Sequence, residues 1–217
     1  MNAPFADPSA AELRRLASAR LPRELSEDAL SPARALRPSD FRLGGPPLDA
    51  ERRLKARNAA VIAPIVLRAD GPTLLFIRRS DALRAHSGQI AFPGGKIEPG
   101  ETPEHAALRE AREEVGLEAE MVEPIGWLDP FLTGTGFRVA PLVALVDGRF
   151  APRPHEGEVA EAFEAPLAEL MDPARHEIHE KELGGTLRKF YAITYEGRYI
   201  WGVTAWILRN LWERMFS

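Results

Sequence analysis

Residues 92–117 leave the backbone few choices. Phe92-Pro93-Gly94-Gly95 opens the stretch, and Thr102-Pro103-Glu104 follows a short link punctuated by Gly100. Thr102 is a good N-cap, Pro103 fits the first helical position, and Glu104 favours the positive end of the helix dipole. Gly116 fits the position past the last turn, where a left-handed residue ends a helix. A helix over Pro103–Val115 is therefore predicted, led in by a loop whose glycines permit close backbone approach or unusual φ/ψ. Leu108, Ala111 and Val115 fall at i, i+3 and i+7 and form its expected buried stripe. Glu110, Glu113 and Glu114 fall at i, i+3 and i+4, within about a 100° arc on a different side.

Three carboxylates on one face repel each other. Two unit charges about 4 Å apart interact by roughly 1 kcal/mol in bulk water and about 4 kcal/mol near a protein surface. A solvated face tolerates that. So does a face that takes a hard divalent cation such as Mg²⁺ or Mn²⁺, which prefers oxygen ligands, keeps several waters and binds substrate phosphate. The helix alone leaves both readings open. The chain has no cysteine, which excludes a disulfide framework, a thiolate metal site and a cysteine nucleophile. Its 28 basic and 32 acidic residues give a formal charge of -4, which by itself argues against a nucleic-acid or phosphate-rich partner.

Elsewhere the pattern is that of one domain with an extension. Residues 1–56 hold seven of the 19 prolines and read as an N-terminal arm with a short helix near residues 10–21, where Leu13, Leu16 and Leu21 share a side. A surface extension packed on the domain is the expectation for this arm, and a dimer contact or a lid over substrate is the other reading. Residues 59–67 and 73–77 read as a hairpin turning at Asp70-Gly71-Pro72. Further strands are expected near 122–128, 139–146, 188–194 and 199–201, with an amphipathic helix over 204–215. This order argues for a mixed sheet flanked by helices. The longest apolar run, residues 59–67, contains Pro64 and is far short of a membrane span. Met1-Asn2-Ala3-Pro4 lacks the basic start and apolar stretch of a secretory signal, so a cytoplasmic location is expected.

A family resemblance around the helix bears on the open choice. Gly95, five residues, Glu101, seven residues, and then Arg109-Glu110-Ala111-Arg112-Glu113-Glu114-Val115-Gly116-Leu117 resembles the Nudix box at every defined position. The resemblance implies an α/β/α sandwich with a mixed sheet over residues 57–217. It also implies hydrolysis of a nucleoside diphosphate linked to another moiety, with Mg²⁺ or Mn²⁺. On that basis Glu110 and Glu114 are the main metal ligands, Glu113 serves a second ion, and Gly94 contributes its carbonyl. Arg109 pairs with Glu101 to hold the loop against the helix, with Gly95 and Gly116 structural in the motif.

A second pattern narrows the substrate. Arg79-Ser80, three residues, Arg84, three residues, Gly88, three residues and Phe92-Pro93-Gly94-Gly95 is similar to the signature preceding the box in coenzyme A pyrophosphatases. That signature begins Leu-Leu-Thr, whereas Leu75-Phe76-Ile77-Arg78 stands here, without the threonine. Segments 133–138 and 200–205 also resemble this group. The implied partner is a small molecule, coenzyme A or a derivative, giving 3′,5′-ADP and 4′-phosphopantetheine, and a homodimer is compatible with this class. Other nucleoside diphosphate derivatives (ADP-ribose, dinucleotides, capped RNA) are the alternative substrates, and a sensing module without turnover is the alternative of a different class. Arg79 and Arg84 are the candidates for the 3′-phosphate, because a guanidinium matches phosphate oxygens bidentately; Arg138 and Arg78 rank behind them. Glu113, Glu158 and Glu161 are candidates for the general base, the last two from an acidic loop over 156–164. His176 and His179 are read as a solvated loop, since their spacing does not match the zincin motif. His86 is read as a substrate contact or a loop-ordering residue, and Trp201 and Trp206 as core anchors rather than base-stacking platforms.

Overall fold

The computed structural model describes residues 7–34, 43, 50–81, 88–183 and 186–217. Its centre is a mixed sheet built on the run of small and β-branched residues that opens it. Strand β1 (Arg57–Arg68) turns back antiparallel into β2 (Gly71–Arg79), with Pro72 opposite Leu67. The turn is tighter than expected: Gly71 and Pro72 already belong to β2. Two very short strands, β3 (Ile90–Ala91) and β4 (Gly94–Lys96), pair with β2 and β1 respectively. After helix α3 (Pro103–Val115), strands β5 (Val122–Trp127), β6 (Phe131–Leu132) and β7 (Phe137–Val146) follow. β7 runs parallel to β1 from Arg57–Phe137 to Val66–Val146, and β5 and β6 line its other edge antiparallel. A strand covered on both faces reads as a nearly continuous apolar run, as the Ile62, Ala63, Ile65 and Val66 side chains, all fully buried, illustrate.

Alternation sorts the side chains into two layers. Leu75 and Ile77 of β2 join Ile62 and Val66 under Ala107, Ala111 and Val115 of α3. Leu74 and Phe76 face the other way, toward helix α1 (Ala10–Arg20) and the C-terminal helix α5 (Val203–Met215). The result is the expected α/β/α arrangement. In α1 the buried residues are Leu13 and Ala17, with Leu16 only partly covered. Ser9 and Glu12 form a capping box, and Glu123 of β5 accepts from Arg14 Nε at 2.9 Å and Nη2 at 2.7 Å. Gly126 gives Leu21 room: a Cβ there would lie 2.6 Å from the Leu21 Cβ. A short helix α2 (Ala50–Lys55) precedes β1. The rest of the proline-spaced stretch, 35–42 and 44–49, lies outside the described residues.

Two segments expected to be loops are strands. β8 (Val159–Pro166) pairs antiparallel with β2 and buries Val159, Phe163 and Ala165, while its glutamates meet arginines across the sheet. Helix α4 (Leu167–Leu170) then leads to β9 (Glu177–Leu183), β10 (Thr186–Tyr195) and β11 (Arg198–Trp201), a second, three-stranded antiparallel sheet. His176, on the approach to β9, is buried with its Nε2 2.7 Å from the Leu170 carbonyl oxygen, and His179 lies within β9 between Glu177 and Tyr199. Both replace the solvated loop. Among the described residues, no helix is long and apolar enough to cross a membrane.

Candidate active site

The β4–α3 unit assembles the site. β4 presses Gly94 and Gly95 against Val61 and Ala60 of β1. At Gly94, with φ of 150°, a Cβ would lie 2.5 Å from the Ala60 carbonyl oxygen and the Val61 Cα, so only glycine fits. At Gly95 the space a Cβ needs is filled by the carboxylate of Glu110. The Thr102 hydroxyl accepts from the His105 N–H at 3.2 Å, and Gly116 at φ 68° closes the helix in the left-handed region. Local capping chemistry therefore sets both ends of α3 where the sequence puts them.

The three glutamates do not share one environment. Glu114 is 1% exposed. It continues the line Ala107–Ala111 at i+4 and i+7, whereas Leu108, expected in the buried stripe, is only partly buried. One Glu114 oxygen accepts from the Gly94 N–H at 3.0 Å and the other from Arg79 Nη1 at 3.3 Å. Burial pushes its pKa up to about 7, against the pull of Gly94 and Arg79 and reinforced by the charges of Glu110 and Glu158. Glu110 is also raised, chiefly by burial, with Glu113 and Glu158 adding to it and Arg109 opposing. Glu113 is half exposed.

Arg109 ties these pieces together. Its Nε donates to Glu101 at 2.9 Å, Nη2 to the Lys96 carbonyl at 3.1 Å, and Nη1 to Glu110 and Glu113 at 3.1 Å each. The hydrogen bond from Arg109 holds Glu101 below its ordinary pKa and raises that of Arg109. The loop from Lys96 to Glu101 is thus anchored to the helix by one guanidinium.

Other candidates fall in distinct places. Glu158 ends the turn before β8, where its carbonyl accepts from the Ser80 N–H at 2.8 Å and His155 N–H reaches the Glu114 carbonyl at 2.9 Å. Glu161 sits on β8 rather than a loop, accepts from Arg198 at 2.6 Å, lies 3.5 Å from Arg78, and is held below its ordinary pKa mainly by Arg198. Arg79, expected at a phosphate away from the carboxylates, is instead at Glu114. Arg138, expected to reach substrate, is buried and donates to the carbonyls of Ala56 (2.6 Å) and Arg53, which joins α2 to β1. Arg84 and His86 lie outside the described residues. What the sequence reading missed is the burial of Glu114, and the signal was present: Ala107, Ala111 and Glu114 form one line down the helix.

Among the described residues, no three His, Asp or Glu side chains converge closely enough to hold a metal ion, and Arg79 and Arg109 offset part of the carboxylate charge. The donor chemistry nonetheless suits a hard divalent cation: oxygen ligands alone, from one helix, under a glycine backbone that leaves them room.

Residues 56–184 match the NUDIX domain. The chain is 44% identical over 161 residues to an uncharacterized Nudix hydrolase NudL of Yersinia enterocolitica, covering 74% of this chain and 82% of that protein. A NudL of Yersinia pestis is 41% identical over 160 residues, covering 73% and 80%. Among solved structures, a Nudix hydrolase from M. smegmatis, RenU, is 25% identical with a TM-score of 0.46, over 54% of this chain and 74% of that one. DR0079 from Deinococcus radiodurans is 19% identical with a TM-score of 0.49, over 74% and 83%. The domain match takes in more than half of the chain, with the glycine loop and α3 inside it, and on that ground this chain belongs to the Nudix family and is a pyrophosphohydrolase of nucleoside diphosphate derivatives.

Proposed function

We propose that this enzyme is a cytoplasmic, metal-dependent coenzyme A diphosphatase, which splits coenzyme A and its derivatives into 3′,5′-ADP and 4′-phosphopantetheine. One observation carries the reading: the Arg79-Ser80…Gly88…Phe92 framework runs straight into the Gly94-Gly95 loop, with Arg79 hydrogen-bonded to Glu114. Glu110 and Glu114 would hold Mg²⁺ or Mn²⁺, with Glu113 serving a second ion and the Gly94 carbonyl contributing. Such an ion, when bound, polarises the diphosphate and makes a bound water more acidic.

The chain's own groups do the rest. Arg79 is on hand to meet the diphosphate oxygens, and Arg109 keeps the loop and helix in register. Glu158 is the group we assign to take the proton from the attacking water, because its carbonyl is held by the N–H of Ser80, next to Arg79, and among the described residues no cation pairs with its side chain. Glu161 is occupied by Arg198 and Arg78, and Glu113 by Arg109. Incubation with coenzyme A and Mg²⁺ or Mn²⁺, followed by chromatography, tests the reading. Release of 3′,5′-ADP is expected, and its absence with both metals rejects the substrate. A panel including dephospho-coenzyme A, ADP-ribose and dinucleotides should rank coenzyme A first by kcat/KM.

A further inference from the structure

The second sheet turns one face outward, and that face is aromatic. The register sets His179 opposite Phe190 and Trp201 opposite Ala192, so Lys181 and Tyr199 lie on the same side. The His179 and Tyr199 rings stack with centroids 5.6 Å apart, and the Phe190 and Trp201 rings are 5.4 Å apart. Trp206, by contrast, is 8% exposed and packs on Phe131 at 4.3 Å. It is a core anchor, as expected; Trp201 is not.

These rings line a cavity of about 440 Å³, and a second of about 590 Å³ continues from Tyr199 and Trp201 to Arg78, Gly88 and Ile90. Both volumes are in the range of small-molecule sites. The groove reaches the end of β2 at Arg78 and Gly88; the Gly88 N–H donates at 3.1 Å to the carbonyl of the next strand residue, Arg79, whose side chain reaches Glu114.

Two cations share this face, Lys181 and, opposite it in the register, Arg188. Arg78 and Arg198 in the groove are paired with Glu161, and Glu180 is paired with Lys189 at 3.1 Å. The Lys181 ammonium lies 5.9 Å from the centroid of the Trp201 ring, and no carboxylate pairs with it among the described residues. A π-face beside an unpaired cation suits a nucleobase whose sugar carries an extra phosphate.

We infer that this face is the subsite for the nucleotide end of the substrate: the base stacks on Trp201 and Tyr199, and Lys181 takes the ribose phosphate outside the diphosphate. The phosphate part rests on the coenzyme A reading; the stacking part requires only a nucleotide. Calorimetric titration of the full chain in a chelating buffer tests it, with 3′,5′-ADP, adenosine and 4′-phosphopantetheine as separate probes. The expected order is 3′,5′-ADP tightest, adenosine weaker, and 4′-phosphopantetheine without binding at this face. Trp201→Leu should weaken 3′,5′-ADP by about ten- to 100-fold, as loss of one base–aromatic stack does, and Trp201→Phe should restore most of it. Lys181→Ala should weaken 3′,5′-ADP and leave adenosine unchanged. In turnover, Lys181→Ala should raise KM for coenzyme A but not for dephospho-coenzyme A, with kcat unaltered.

Equal 3′,5′-ADP affinity in Trp201→Leu and the parent, or competition by 4′-phosphopantetheine, overturns the assignment. If coenzyme A is cleaved normally and Lys181→Ala and Trp201→Leu both leave KM unchanged, the subsite fails and the substrate reading stands. If the parent releases no 3′,5′-ADP from coenzyme A, the substrate reading fails, and the calorimetry still judges the face.

Discussion

With no cation bound, the carboxylate of Glu114 works against the fold that holds it. It is 1% exposed, and burial raises its pKa from 4.5 to about 7 despite the Gly94 N–H and Arg79. A group whose folded-state pKa is raised adds stability that is fully present below its unfolded value and lost as pH rises through the folded one. Between 4.5 and about 7 the linkage makes the ionised group unfavourable by about 3 kcal/mol at pH 8 and by about 1 kcal/mol at pH 5. Glu114→Gln removes the charge, keeps the volume and still accepts from Gly94. In EDTA the variant should therefore exceed the parent by about 3 kcal/mol at pH 8 and by only about 1 kcal/mol at pH 5. Guanidinium unfolding followed by tryptophan fluorescence, run on both proteins at both pH values, measures that difference of differences. Adding Mn²⁺ at pH 8 should stabilise the parent more than the variant, which keeps Glu110 and Glu113 but loses one charged ligand. A gain that is the same at both pH values, or a variant less stable at pH 8, would refute the argument that desolvation governs this carboxylate.

Three further outcomes follow from the packing. Gly95→Ala puts a Cβ where the Glu110 carboxylate lies, so kcat/KM should fall by about 100-fold with folding retained, the cost of misplacing a reacting group by about an ångström; Gly134→Ala, where nothing lies within 4 Å, should be neutral in the same assay. Leu13→Ala should cost about 2–5 kcal/mol in denaturant unfolding, since Leu13 is fully buried in the core shared with α5; a loss below about 0.5 kcal/mol would mean that α1 is only a surface appendage. Burial raises the pKa of Glu164, but hydrogen bonds from Arg68 and Thr73 outweigh it and leave the group below 4.5, so it contributes stability present above that value and lost as pH falls through the lower one. Glu164→Gln should cost about 1–3 kcal/mol at pH 7, with the gap from the parent narrowing as both are titrated below about pH 4.

The sequence was most readable where structure is decided within one turn. Thr102, Pro103 and Gly116 act on their immediate neighbours, and α3 begins and ends with them. β8 and β9 were hidden because their charges look like loop charges until their partners are in place. Glu164 meets Arg68, and Glu161 meets Arg78 and Arg198, across strands that no local pattern joins. Trp201 and Trp206 stand five residues apart and separate onto a sheet face and a core because the chain turns at Gly202, φ 63°, between β11 and α5. The same limit explains the formal charge of -4, which argued against a phosphate-rich ligand. A sum over the chain cannot say which charges meet. At the site, Arg79 and Arg109 oppose Glu110, Glu113 and Glu114, with Glu101 and Glu158 close by, and each divalent ion held there would cancel two of those negative charges. A polyanion therefore needs no basic protein, only a place where bound cations offset the acids.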